Sequence, residues 1–263
     1  MWGVDSRGGP SAIKRPRSQD EEEDTTSELP PDHPKVWIPA LCRKYYNEGA
    51  MAATAGSITS RLGNEIYIAP SGVQKEKIKA DDLFIQTVDG VDIYIPRARN
   101  EHNKPKKSAC TPLFLLAYKF KNANAVIHTH SINSVKVTML FAGTEFRITH
   151  QEIIKAMIKC HSGTYYRYDE ELVIPIIENA PREDLLEGAM HKAMDDYPMA
   201  SAVLVRRHGV FVWGPSLEKA KIMYEALDYL FETAIFMKQC NIDPSLKPSV
   251  PHGAYVSTPH QVR

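Results

Sequence analysis

The stretch Ala125-Val126-Ile127-His128-Thr129-His130-Ser131 constrains this chain more than any other. It reads as a buried strand that ends on two imidazoles. Residues two apart on a strand point to the same face, so His128 and His130 project together while Thr129 turns away. Two imidazoles side by side on an apolar strand cost free energy unless something satisfies them. Two arrangements can do so. One is a pair of core histidines hydrogen-bonded to the backbone. The other is a divalent cation, for which neutral imidazole is a good ligand.

A third histidine lies further on. Ala202 to Gly214 reads as two short strands around a turn at His208-Gly209. His208 sits where an apolar run meets a loop. Alone it is a turn residue beside a glycine. Together with His-x-His it makes a candidate metal centre, and three histidines leave at least one position open on zinc, as catalytic rather than structural sites do.

The 263 residues suffice for one large domain or two small ones. With 43% hydrophobic and 24% charged residues, most of the chain should fold as an ordinary soluble domain. The formal net charge of zero provides no overall field to draw the chain to nucleic acid or to a membrane. No apolar run has the length of a membrane span, and the N-terminus has no signal-like apolar stretch. Cys42, Cys110, Cys160 and Cys240 form no C-x-x-C pair, and their scatter suits reduced thiols in the cytosol.

Residues 1–32 are polar and charged, and are expected to be a disordered tail. The Lys14-Arg15-Pro16-Arg17 run within it reads as a nuclear address or as a solvated block. A folded domain is expected over residues 33–245 and a flexible tail over 246–263. His33 to Glu48 fits an amphipathic helix stopped by Gly49. Ala50 to Ser60 reads as a small-residue loop, whose backbone N–H groups can cradle an anion. Strands are expected at Glu65–Ala69, Asp81–Val88 and Leu172–Ile177. Helices are expected at Leu113–Phe120, Ile132–Phe141, Asp184–Tyr197 and Leu217–Lys238. Thr111 reads as an N-cap with Pro112 at the first helical position. Cys110 is then either a thiol activated near a helix N-terminus or a packed thiol. Thr149 and Glu152 read as a capping box, with a general base beside the metal as the competing role for Glu152. Strands and helices interleave without a G-x-G-x-x-G or P-loop motif. This indicates one α/β domain with helices packed on a mostly antiparallel sheet.

The chain resembles the class II aldolase/adducin family. His-x-His at 128–130 with the later His208-Gly209 carries the general likeness. A dehydratase branch is marked by Pro70-Ser71-Gly72-Val73-Gln74-Lys75, Cys110-Thr111-Pro112, Thr149-His150-Gln151-Glu152 and Tyr165-Tyr166-Arg167-Tyr168. The resemblance runs from about His33 to about Pro248. It implies a three-layer αβα sandwich and one Zn2+ per subunit held by His128, His130 and His208. It further implies Glu152 as catalytic acid/base and Cys110 as a substrate contact. The expected substrate is a small phosphorylated sugar, dehydrated to a diketone in methionine salvage. The expected assembly is a cytoplasmic homotetramer with active sites between subunits. One departure is clear: Ala52-Ala53-Thr54-Ala55-Gly56-Ser57 stands where that branch carries a glycine-rich phosphate loop. The same resemblance leaves open another sugar-phosphate aldolase or epimerase, or an adducin-like, apoptosis-regulatory binding protein.

Overall fold

A computed structural model describes residues 28–98 and 104–250. The tails expected over 1–32 and 246–263 lie outside the described residues up to residue 27 and from residue 251, and the basic run at 14–17 lies there too. Helix α1 spans Pro34–Asn47, with Pro34 in its first turn and the His33 side chain accepting the Lys35 N–H at 3.1 Å. Gly49, at φ +76°, ends it.

Among the described residues nine strands form one sheet: β1 Ser57–Leu62, β2 Glu65–Ile68, β3 Phe84–Gln86, β4 Asp92–Tyr94, β5 Ala125–Thr129, β6 Glu145–Ile148, β7 Leu172–Ile177, β8 Ala202–Val205 and β9 Gly209–Gly214. Their order is β4-β3-β2-β1-β5-β9-β8-β7-β6, and only β7 and β8 pair parallel. The remaining helices are α2 Thr111–Phe120, α3 Ile132–Leu140, α4 Glu187–Asp196 and α5 Leu217–Gln239.

The strand period of two sorts side chains into two cores. Ile58, Ile127, Leu204 and Val212 face α1, α3 and α5 on one side. Val126, Val203, Phe211 and Trp213 face α2 and α4 on the other. The result is the expected helix–sheet–helix sandwich, with β5 and β9 adjacent at its centre.

Three expectations need correction. Ser57 to Ser60 is strand rather than loop. Its small polar side chains are buried, and two have partners beyond the strand: Ser57 donates to the Ala69 carbonyl at 3.1 Å, and Thr59 bonds the Tyr118 hydroxyl at 3.1 Å. Thr111 is the first helical residue of α2 and Cys110 its cap, because the Thr111 hydroxyl donates back to the Ser108 carbonyl at 2.6 Å. The Thr149–Glu152 capping box is absent. His150 has φ +54°, which a first helical residue cannot adopt, and only a short 3-10 turn, Glu152–Ala156, follows.

Candidate metal centre

The centre sits where β5 ends beside the β8–β9 hairpin turn. Registry places His128 opposite Phe211 and Thr129 opposite Val210, so the turn residue His208 is carried over the end of β5. That turn is held firmly. Arg206 donates to the carbonyls of Thr138 in the last turn of α3, Phe141 at its cap and Gly143 just beyond, at 2.7, 3.0 and 2.8 Å. The Arg207 N–H donates to the Thr138 hydroxyl at 2.9 Å. Charged donors satisfying the last carbonyls of a helix make a strong, oriented anchor.

The three imidazoles converge. His130 Nε2 lies 3.0 Å from His128 Nε2 and 3.0 Å from His208 Nε2. Two tautomers follow from the partners of the opposite nitrogens. His128 Nδ1 is 3.0 Å from the Val210 carbonyl, an acceptor only, so Nδ1 donates and Nε2 keeps its lone pair. His208 Nδ1 donates in the same way to Asn179 Oδ1 at 3.0 Å, and that oxygen also accepts the Ala180 N–H at 2.9 Å. His128 is fully buried and stacks on Phe211 with centroids 3.8 Å apart and planes at 8°.

Burial pushes all three rings toward the neutral form, and nearby imidazoles add to this for His128 and His130. His128 is held well below the usual histidine range, His130 is pushed down to about 4, and His208 is lowered. Neutral imidazoles whose Nε2 atoms converge on one point can serve together as ligands to a single cation. Nitrogens around a tetrahedral zinc stand about 3.3 Å apart, close to the spacing seen here. The donor set therefore fits a divalent metal ion.

Beside the histidines opens a cavity of about 940 Å3. The Ala52–Gly56 loop, Ser71, Ser108, Cys110, Asn179 and Arg207 contribute to its wall. Ala53 carries φ +55° and Gly56 φ +77°, so this loop keeps the left-handed backbone of a glycine-rich turn although alanine fills part of it. Lys75, wholly buried, donates to the Pro70 carbonyl at 2.9 Å and pins the turn that presents Ser71. Cys110 is buried, and its thiol donates to Glu183 Oε2 at 3.0 Å. Burial and that carboxylate hold the thiol far above its ordinary range, so Cys110 stands as a neutral S–H donor, not an activated thiolate.

The two expected carboxylate and thiol residues part company here. Cys110 lies in the cavity wall. Glu152 does not: its side chain is 77% exposed, pairs with Lys155 at 2.6 Å, and follows β6 at the sheet edge four strands from β5. Glu183, absent from the sequence reading, is the carboxylate the fold brings in. It groups with the three histidines, each residue offering a ligand atom within 4.8 Å of the others. It begins a 3-10 turn after a loop, where no periodicity marks it.

Residues 37–235 match the family described as class II aldolase and adducin N-terminal domain. The chain is 53% identical to methylthioribulose-1-phosphate dehydratase of Esox lucius over 88% of this chain and 89% of that one. It is 50% identical to the protein of that name from Homo sapiens over 94% and 97%, and 55% identical to that from Gallus gallus over 84% and 90%. Among solved structures, an L-fuculose 1-phosphate aldolase superposes with a TM-score of 0.63 at 18% identity, over 81% of this chain and 90% of that one.

Proposed function

The chain belongs to the class II aldolase and adducin family, and from that premise we propose that it is a zinc-dependent hydro-lyase. In this reading it dehydrates 5-methylthioribulose 1-phosphate to 2,3-diketo-5-methylthiopentyl 1-phosphate in methionine salvage. The observation that carries the reading is the meeting of three neutral Nε2 atoms at the mouth of a cavity lined by an anion-type loop. The name shared by relatives about half identical over most of their length supports the same substrate.

Zinc, when bound, supplies Lewis acidity to the ketone oxygen and the hydroxyl beside it. His128, His130 and His208 would hold it. The Ala52–Gly56 loop with Ser71 and Ser108 offers backbone N–H and hydroxyl donors to the phosphate. The Cys110 thiol contacts the sugar as a neutral donor. Glu152 takes the proton from the carbon next to the ketone and returns one to the departing hydroxyl, so the products are the diketone and water. Because Glu152 is exposed and away from its own cavity, a neighbouring copy delivers it. Support for such an assembly comes from Ile222, Tyr229 and Phe236, which repeat every seven residues along α5 as an exposed apolar stripe. The cytoplasm suits the four free cysteines. No helix among the described residues is long and apolar enough to cross a membrane.

The test assays purified protein for zinc and for product. Diketone formation with bound zinc is expected, and retro-aldol fragments instead would make the chain an aldolase. Glu152→Gln is expected to keep its zinc and lose turnover. His128→Ala is expected to lose both.

A further inference from the structure

Glu183 has two carboxylate oxygens with two different surroundings. Oε2 accepts the Cys110 S–H at 3.0 Å. Oε1 lies 3.8 Å from His208 Nε2, and a carboxylate oxygen of Glu183 lies within 4.8 Å of a ligand nitrogen of each histidine. The His208 proton sits on Nδ1, toward Asn179, so Nε2 offers Oε1 a lone pair rather than a hydrogen bond. An acceptor oxygen facing acceptor nitrogens is repulsive unless a cation lies between them. The S–H bond occupies one oxygen and leaves the other directed at the histidines.

We propose that Glu183 is the fourth protein ligand of the resting metal centre and that Cys110, which touches no metal, positions it. The assignment rests on the three-histidine reading given above. It yields a His3Glu set, whose single negative charge partly neutralises a divalent ion in a half-buried place. It also gives Cys110 a consequence beyond substrate contact: removing the thiol frees the carboxylate and weakens metal binding from a distance, as outer partners of metal ligands do.

The test is a zinc competition titration against a chromophoric chelator, on the full chain without substrate. Glu183→Gln is expected to weaken zinc binding by at least the roughly 10- to 100-fold that loss of an outer partner of a metal ligand costs. Its side chain is about a quarter exposed on a surface turn, so the fold tolerates the change. Cys110→Ala is expected to weaken zinc binding by a smaller factor and to add nothing on top of Glu183→Gln. The visible spectrum of the Co2+-loaded protein is expected to change in Glu183→Gln, since it reports the ligand set. Wild-type affinity and an unchanged Co2+ spectrum in Glu183→Gln, with His208→Ala unable to bind, would overturn the assignment and leave the histidine centre standing. Wild-type affinity in His208→Ala would overturn the centre itself.

Discussion

Gly209 gives the sharpest test of how the centre is built. A Cβ at this position would lie 2.1 Å from the Thr129 carbonyl oxygen, 3.1 Å from its carbon and 3.3 Å from the His130 Cα. All three are backbone atoms at the end of β5, so no flexible side chain can yield. Restoring ordinary carbon–oxygen contact requires β5 and β9 to part by about 1 Å. His208 immediately precedes Gly209, whereas His128 and His130 ride on β5. The parting therefore separates one proposed ligand from the other two, and ligand distances tolerate only about 0.2 Å. Gly209→Ala is expected to lower zinc affinity by two orders of magnitude or more. It should also cost about 1–3 kcal/mol of stability through overpacking at the centre of the sheet. The control is Gly188→Ala in α4, where a Cβ meets nothing within 4 Å and alanine favours the helix. Chelator competition and calorimetric melting read both quantities. A Gly209→Ala protein that binds zinc as the parent does would refute the idea that close β5–β9 approach sets the ligand spacing.

Three further outcomes are expected. Mixing His128→Ala and Glu152→Gln subunits, each inactive alone, should restore up to about a quarter of the sites if Glu152 acts across a subunit boundary; no recovery after verified subunit exchange would place it elsewhere. Ala53→Gly should relieve the left-handed strain at φ +55° and stabilise by about 1 kcal/mol, or roughly 2 °C in Tm, with a lower KM for the phosphorylated sugar; a lower melting point would show the alanine to be favourable there. In the metal-stripped protein, the unfolded chain binds protons below pH 6.5 that the buried rings refuse, down to about 4 for His130. Stability should therefore fall as pH drops through that window, by about 1.4 kcal/mol per pH unit for each such histidine. A flat melting profile between pH 6.5 and 4 would mean the rings are not held neutral.

The histidine centre was legible because it is written in two local periodicities. Same-face spacing on a strand pairs His128 with His130, and a turn between two apolar runs presents His208 at a hairpin end. The layered fold was legible from the short apolar runs of β5, β8 and β9 and from helical spacing in α1 and α5. What stayed hidden depends on groups far apart in the chain. The β1 strand carries Ser57, Thr59 and Ser60, which read as loop until the Ala69 carbonyl and the Tyr118 hydroxyl are there to satisfy two of them. Glu152 has the spacing of a capping box, but that spacing says nothing about the left-handed backbone at His150 that abolishes it. Glu183 illustrates the limit most clearly. A carboxylate that follows a loop has no period; the Cys110 thiol at the cap of α2 holds it, and Asn179 of the same connection holds His208 beside it. Candidate ligands on or beside regular strands thus declare themselves by spacing, while the carboxylate proposed to join them comes from a long connection and is found only once the elements have been assembled around it.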